Sequence, residues 1–329
     1  MHIFPLFDPD YLNGGSLGQY FFFILFEGVP IFLAVNGFLL LGKKEIDLRK
    51  HYLKTLKIAV LFVLWSLILI IINLLFDKTP INRSVIIDLF LKTGGENSLY
   101  TSELWFLQYL IPLYIIYPLL HNAYHHNRKL YDIIFYLTAF FTVGIYFIPL
   151  LANLIANEIR AGILRNFYDY LGRSSFLGPN AFYVFYFMLG GEIKRHYETL
   201  MKKKYLFAGL GLFSWLLCFG YGLLAGKING YLVEKHFNNT LMMALMVVGL
   251  FALMTDLKPK GIAGKMVEGI GANTLGIYVI HSFIIRIVRL FVPSSLAFNF
   301  LSLLLVLIIS HLLTLILKKL PVLRELVSF

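Results

Sequence analysis

The chain of 329 residues is 59% hydrophobic and 14% charged, with a mean hydropathy of +0.76. That balance excludes a water-soluble globular domain and places the chain in lipid. The formal net charge of +11 is what a membrane protein acquires by keeping basic loops in the cytoplasm, so nucleic acid is not an expected partner. The only cysteine, Cys218, lies inside an apolar run, which excludes a disulfide framework and a thiolate metal site.

A bilayer core about 30 Å thick needs roughly 20 apolar residues per helical span, and a helix satisfies its own backbone polar groups where lipid cannot. Apolar runs predict about nine spans, centred in chain order near Leu25, Leu67, Leu113, Phe141, Tyr186, Phe213, Leu245, Val279 and Leu305. The expected fold is all-α, a polytopic membrane helical bundle, and with no long polar linker the chain 1–329 reads as a single membrane domain. Loop charges then set the topology. The segment from Lys43 to Lys50, with Lys54 and Lys57, is strongly basic and is expected inside, whereas the loop from Asp77 to Glu103 is charge-balanced and expected outside. His125 to Lys129 is basic, Glu158 to Arg173 is mixed, and Lys194-Arg195 with Lys202 to Lys204 is basic again. The loop with Lys227, Glu234 and Lys235 falls outside; Lys258, Lys260 and Lys265 fall inside, as do Lys318, Lys319 and Arg324 at the end. The expected location is the inner membrane with a cytoplasmic C-terminus. The stretch before Lys43 carries Asp8 and Asp10 and no Lys or Arg, which puts it outside. A short tail translocated directly, or a preceding transmembrane helix absent from this sequence, would produce that, and the second is the expectation adopted.

Two soluble-enzyme signatures are absent: the sequence has no phosphate-binding Gly-Lys-Ser/Thr loop and no His-Glu-x-x-His. Chemistry must therefore come from ionisable residues in or at the spans, where burial is expensive. These are His2, Glu27, Glu103, His281, Arg286 and His311, with the pair Lys54 and Lys57. His121 and His125 are four apart with His126 adjacent, but no matched carboxylate or cysteine completes a zinc set, so no metal is expected.

Three apolar motifs carry a resemblance. The run from Val29-Pro30-Ile31-Phe32 through Asn36-Gly37-Phe38-Leu39-Leu40-Leu41 resembles the VPxFFxxSGxLL helix of the acyltransferase 3 family of integral membrane acyltransferases. Leu104-Trp105-Phe106-Leu107, followed by Leu110, Ile111 and Tyr114, resembles its HLWFL helix, and Leu275-Gly276-Ile277-Tyr278-Val279-Ile280-His281 resembles its SFGIYLIHP segment. All three stand in the family's order. The resemblance implies about ten core helices, the first bearing a histidine at its outer end that His2 matches in spacing, and it implies that most of that first helix precedes Met1. The family's Arg-x-x-Arg pair falls on Lys54-Thr55-Leu56-Lys57. Departures are Glu103 where the family often has His, Asn36 where it often has Ser, and Asn273 near its usual Ser. Lysine in place of arginine loses bidentate phosphate geometry but keeps a positive point charge. Asn36 recurs in members encoded with surface-polysaccharide genes.

The function so implied is transfer of acetyl, or another short acyl group, from cytosolic acyl-CoA to a hydroxyl of a surface polysaccharide or its lipid-linked precursor. His2 would take the hydroxyl proton as a general base, or carry the acetyl as acetyl-imidazole; otherwise it is a residue at a loose terminus. Lys54 and Lys57, three apart on one helical face, would clamp the coenzyme A phosphates, or else snorkel as ordinary positive-inside lysines. Tyr278 and His281 would line the acceptor cavity or bond a neighbouring helix, while Glu103 and Trp105 would hold a sugar, or Trp105 would belong to an aromatic belt. No cofactor is expected to stay bound; acetyl-CoA acts as donor substrate, and the partners are acyl-CoA, the glycan acceptor and membrane lipids. A transporter or flippase exporting a polysaccharide intermediate is the alternative, because a cavity for transfer and a cavity for passage look alike in an apolar bundle.

Overall fold

The computed structural model describes residues 16–25, 27–77, 104–156, 158–174, 181–233, 236–292 and 295–327. Among these the chain is helical and holds no strand. In order the helices are α1 (Leu17–Leu25), α2 (Gly28–Leu41), α3 (Leu48–Asp77), α4 (Trp105–His126) and α5 (Arg128–Ala139). A π-helical segment (Phe140–Gly144) joins α5 to α6 (Phe147–Ala152), followed by α7 (Glu158–Ser174), α8 (Ala181–Arg195), α9 (Tyr197–Lys202) and α10 (Lys204–Asn229). The last five are α11 (Leu241–Met254), α12 (Gly261–Ala272), α13 (Thr274–Phe291), α14 (Leu296–Leu317) and α15 (Pro321–Val327).

Every expected span centre falls in a helix, that near Phe141 in the π-helical segment. Among the described residues, six helical stretches are long and apolar enough to cross a membrane: Leu17–Leu41, Leu48–Ile68, Arg128–Ala152, Lys204–Asn229, Thr274–Phe291 and Ala297–Leu317. The other centres lie in α4, whose 22 residues include Pro112 and Pro118, and in α8 and α11, whose 15 and 14 residues are shorter than a full span. Contacts divide the chain into two compact units, one of Met1–Lys44 with Leu119–Lys258 and the other of Glu45–Pro118 with Pro259–Phe329.

In the first unit glycines let helices meet backbone to backbone, the packing mode open to helices that gain nothing from expelling water in lipid. A Cβ on Gly37 of α2 would lie 1.7 Å from the Phe187 carbonyl oxygen of α8, and one on Gly190 would lie 1.9 Å from that of Ala34. Gly211 of α10 and Gly249 of α11 meet in the same way: a Cβ on either would sit within 2.9 Å of the other's Cα. Around these crossings Tyr186, Phe187 and Met188 are fully buried.

The basic segments of this unit meet at one end. His125 and His121 donate through Nε2 to the carbonyls of Leu41 and Lys43 at 2.9 and 2.7 Å. Arg128 forks onto Glu192 at 2.9 and 3.2 Å, and Arg195 donates to the Tyr124 carbonyl at 3.0 Å. Lys204, at the start of α10, reaches Asp256 at 3.0 Å. Helix α10 has 26 residues, about 39 Å at ~1.5 Å per residue, and a different set of contacts gathers at its far terminus. There Asn229 donates to the Asn153 carbonyl at 2.7 Å, and Glu27 binds His236.

The second unit is built from α3, most of α4, and α12 to α15. Pro118 has no N–H, so the Tyr114 carbonyl four residues earlier loses its helical donor. His51 of α3 supplies one: its Nε2 lies 2.7 Å from that oxygen. This is how a proline-broken helix is kept satisfied in lipid. Helix α13 packs on α14, where a Cβ on Gly276 would come within 2.3 Å of Thr314.

Candidate functional site

In the second unit the fold brings Tyr278 and His281 together with Phe106, the chain neighbour of Trp105. Tyr278 and His281 are one turn apart on α13, and their ring centroids lie 5.9 Å apart. Phe106 at the start of α4 meets Tyr278 edge to face at 6.0 Å, and Trp105 meets Phe106 at 6.1 Å. His281 is fully buried, while Tyr278 and Trp105 are half-buried. The His281 Nδ1 is hydrogen-bonded to the Tyr278 carbonyl. A carbonyl only accepts, so this bond fixes the proton on Nδ1 and leaves the lone pair of the neutral ring on Nε2. The cluster thus combines flat aromatic faces, a phenol and an oriented imidazole, a set suited to a sugar ring and its hydroxyls. Glu103 and His2 lie outside the described residues.

Lys54 and Lys57 sit in a second arrangement, on the first turns of α3. The helix starts at Asp47, whose Oδ1 accepts from the Lys50 backbone N–H at 3.0 Å, and that bond holds the Asp47 carboxyl below its usual range. Lys54 is exposed; Lys57 is partly covered and ion-pairs with Glu325 of α15 at 2.7 Å. Helix α15 is tied to the same face by Trp65, whose indole N–H donates to the Leu326 carbonyl at 2.8 Å. Val327 is buried beneath it. The lysine expected to meet an anion therefore meets a carboxylate from the chain's own last helix.

Lys57 also lowers the Glu325 pKa, chiefly through its hydrogen bond. A depressed carboxyl pKa means that the pair holds α15 in place above the ordinary glutamate value, about 4, and lets go as pH falls through the lowered one. The protection of the amides of residues 322–327 against hydrogen exchange, corrected for the intrinsic pH dependence of exchange, should fall in acid or high salt and be steady between pH 6 and 8; flat protection down through the acid range would contradict this.

Sequence reading named Glu27 but not its partner. The chain breaks between α1 and α2 at Glu27, which is 3% exposed. Its Oε1 lies 2.8 Å from His236 Nδ1, and its Oε2 accepts from the Phe237 N–H at 3.1 Å. The two residues are 209 apart in sequence, and no spacing rule joins them. Glu27→Ala should cost about 2–3 kcal/mol, because it strips a buried N–H of a charged acceptor, and Glu27→Gln should cost less. Thermal unfolding in detergent checks this: a Glu27→Gln midpoint equal to that of the wild type would mean that Glu27 merely fills space. His121 and His125, with ring centroids 4.3 Å apart, spend their Nε2 atoms on carbonyls at the end of α2. Among the described residues no group of three or more His, Cys, Asp or Glu side chains is placed to hold a metal.

A family model described as an acyltransferase domain matches residues 1–319. The chain belongs to the acyltransferase 3 family. Comparison with curated proteins and with solved structures found no match. Family membership together with the apolar helices makes this a multi-pass membrane acyltransferase.

Proposed function

We propose that this membrane acyltransferase moves an acetyl or other short acyl group from cytosolic acyl-CoA to a hydroxyl of a surface polysaccharide or its lipid-linked precursor. The family match carries the acyl-transfer chemistry. The donor side is supported by the positive-inside rule: the end of the first unit where Lys43, Arg128, Arg195 and Lys204 gather is the end that rule retains in the cytoplasm. Lys54 and Lys57 fall on segments the same rule places inside, where they meet the phosphates of coenzyme A as point charges. Their existing carboxylate partner supports an anion-seeking role for Lys57.

The acceptor hydroxyl gives its proton to the His2 imidazole as its oxygen attacks the thioester carbonyl. A new C–O ester bond forms, the C–S bond breaks, and coenzyme A leaves as thiol after taking up the proton. Trp105, Tyr278 and His281, with Glu103, bind the acceptor sugar. No group stays bound between turnovers; acyl-CoA is consumed as a substrate.

The test is the ester-linked acetyl content of surface polysaccharide in a deletion strain complemented with the gene in wild-type or His2→Ala form. Restoration by the wild type alone, at equal membrane levels, supports both the reaction and the base. Restoration by both makes His2 structural, and restoration by neither removes this acceptor class.

A further inference from the structure

Helix α7 (Glu158–Ser174) is not among the helices long and apolar enough to cross a membrane. Even so, it leaves four large apolar side chains uncovered: Ile159 is 77% exposed, Ile163 63%, Phe167 52% and Tyr170 68%. Their spacing puts them on one stripe, within an arc of about 80° at the helical ~100° per residue. The opposite face is packed on the protein. Ala161 is 1% exposed, and Tyr168 meets Tyr146 edge to face at 5.7 Å. At the edge of that face Arg165 donates to Asn153 Oδ1 at 3.4 Å. Between the two lies a polar side with Glu158, Asn166 and Asp169, all exposed. A helix on a water-soluble surface needs two faces, one for the core and one for water. This helix has three.

Its height in the fold says what the third face meets. The candidate span Arg128–Ala152 ends just before α7, and the candidate span Lys204–Asn229 ends at Asn229. Asn153 joins them: its carbonyl accepts from Asn229 and its side chain from Arg165 of α7. Helix α7 is therefore held where two spans terminate, at the level of the boundary between acyl chains and water. It is at the terminus of α10 opposite the basic end that begins at Lys204.

We infer that α7 lies in the plane of the bilayer as an interfacial helix, in the leaflet opposite the basic end, with Ile159, Ile163, Phe167 and Tyr170 embedded among the lipid chains. Its polar side faces water, and Arg160, bordering the stripe, reaches headgroup phosphates while its stem stays in the apolar layer. The partner is lipid rather than a second protein surface because the flanking spans already carry lipid to this height.

The test uses the full chain with Cys218→Ser, a buried position, reconstituted in vesicles of phosphatidylethanolamine and phosphatidylglycerol. An environment-sensitive fluorophore is attached at Ile163→Cys, Phe167→Cys or Asp169→Cys, all exposed positions that the fold does not need filled. Lipids spin-labelled near the headgroup should quench positions 163 and 167 at least about twofold more than position 169, with aqueous iodide showing the reverse order. Equal iodide access at all three positions overturns the inference. So does stronger quenching by labels at the chain ends, which marks a span, or protection from both quenchers, which marks a covering protein.

Discussion

Gly190→Ala should destabilise the first unit by about 3–5 kcal/mol, enough to leave little folded protein in the membrane. The added methyl would lie 1.9 Å from the Ala34 carbonyl oxygen and 2.7 Å from the Phe38 backbone nitrogen. These are main-chain atoms, so no rotamer change relieves the clash and α2 must move away from α8. Separation undoes the contact that buries Leu33, Ala34, Phe187 and Met188. Gly209→Ala is the matched control. Nothing lies within 4 Å of a Cβ there, and alanine in place of glycine in a helix interior gains about 1 kcal/mol. Unfolding of both variants in detergent, followed by size-exclusion profile against temperature, should shift in opposite directions. Equal shifts would mean that the α2–α8 crossing is not close.

Lys54→Ala combined with Lys57→Ala should weaken acyl-CoA binding by about tenfold or more, since each lysine offers an ammonium to phosphate. Glu325→Gln should do the opposite. In the free protein the Glu325 carboxylate already occupies the Lys57 ammonium at 2.7 Å, so phosphate must displace it. The glutamine keeps the shape and removes the charge. Titration of the purified protein with acetyl-CoA should therefore give the order Glu325→Gln tightest, wild type next and the double lysine variant weakest. If the lysines only snorkel at the membrane surface, all three will bind alike.

The sequence made the membrane bundle legible because hydrophobic runs and loop charges are local properties. Each expected span centre lies in a helix, and the segments grouped as basic do touch, with His121, His125 and Arg195 tying them together. The Tyr278–His281 pairing was legible too, since one helical turn separates them. Other features depend on which distant elements meet. His51 serves the carbonyl exposed by Pro118, Glu27 finds His236, and Glu325 finds Lys57, at separations of 63, 209 and 268 residues. Each begins as a polar group with an unmet need, which a sequence shows, while the group that meets it is fixed only by folding. In sequence the stretch Glu158 to Arg173 reads only as mixed in charge, because its charges dilute its hydropathy. Its three-sided character appears only once one side is seen to be packed. Of the site residues that the resemblance implies, His2 and Glu103 lie outside the described residues.

The most direct test of the central claim is release of coenzyme A thiol from acetyl-CoA by the purified protein in vesicles supplied with the glycan fraction of its own host. Acetyl transfer predicts thiol release matched by ester-linked acetyl on the glycan, both lost together in the double Lys54→Ala, Lys57→Ala variant. Glycan crossing the vesicle membrane without acyl-CoA, and with no thiol released when acyl-CoA is added, would contradict the account and identify passage rather than transfer as the work of the bundle.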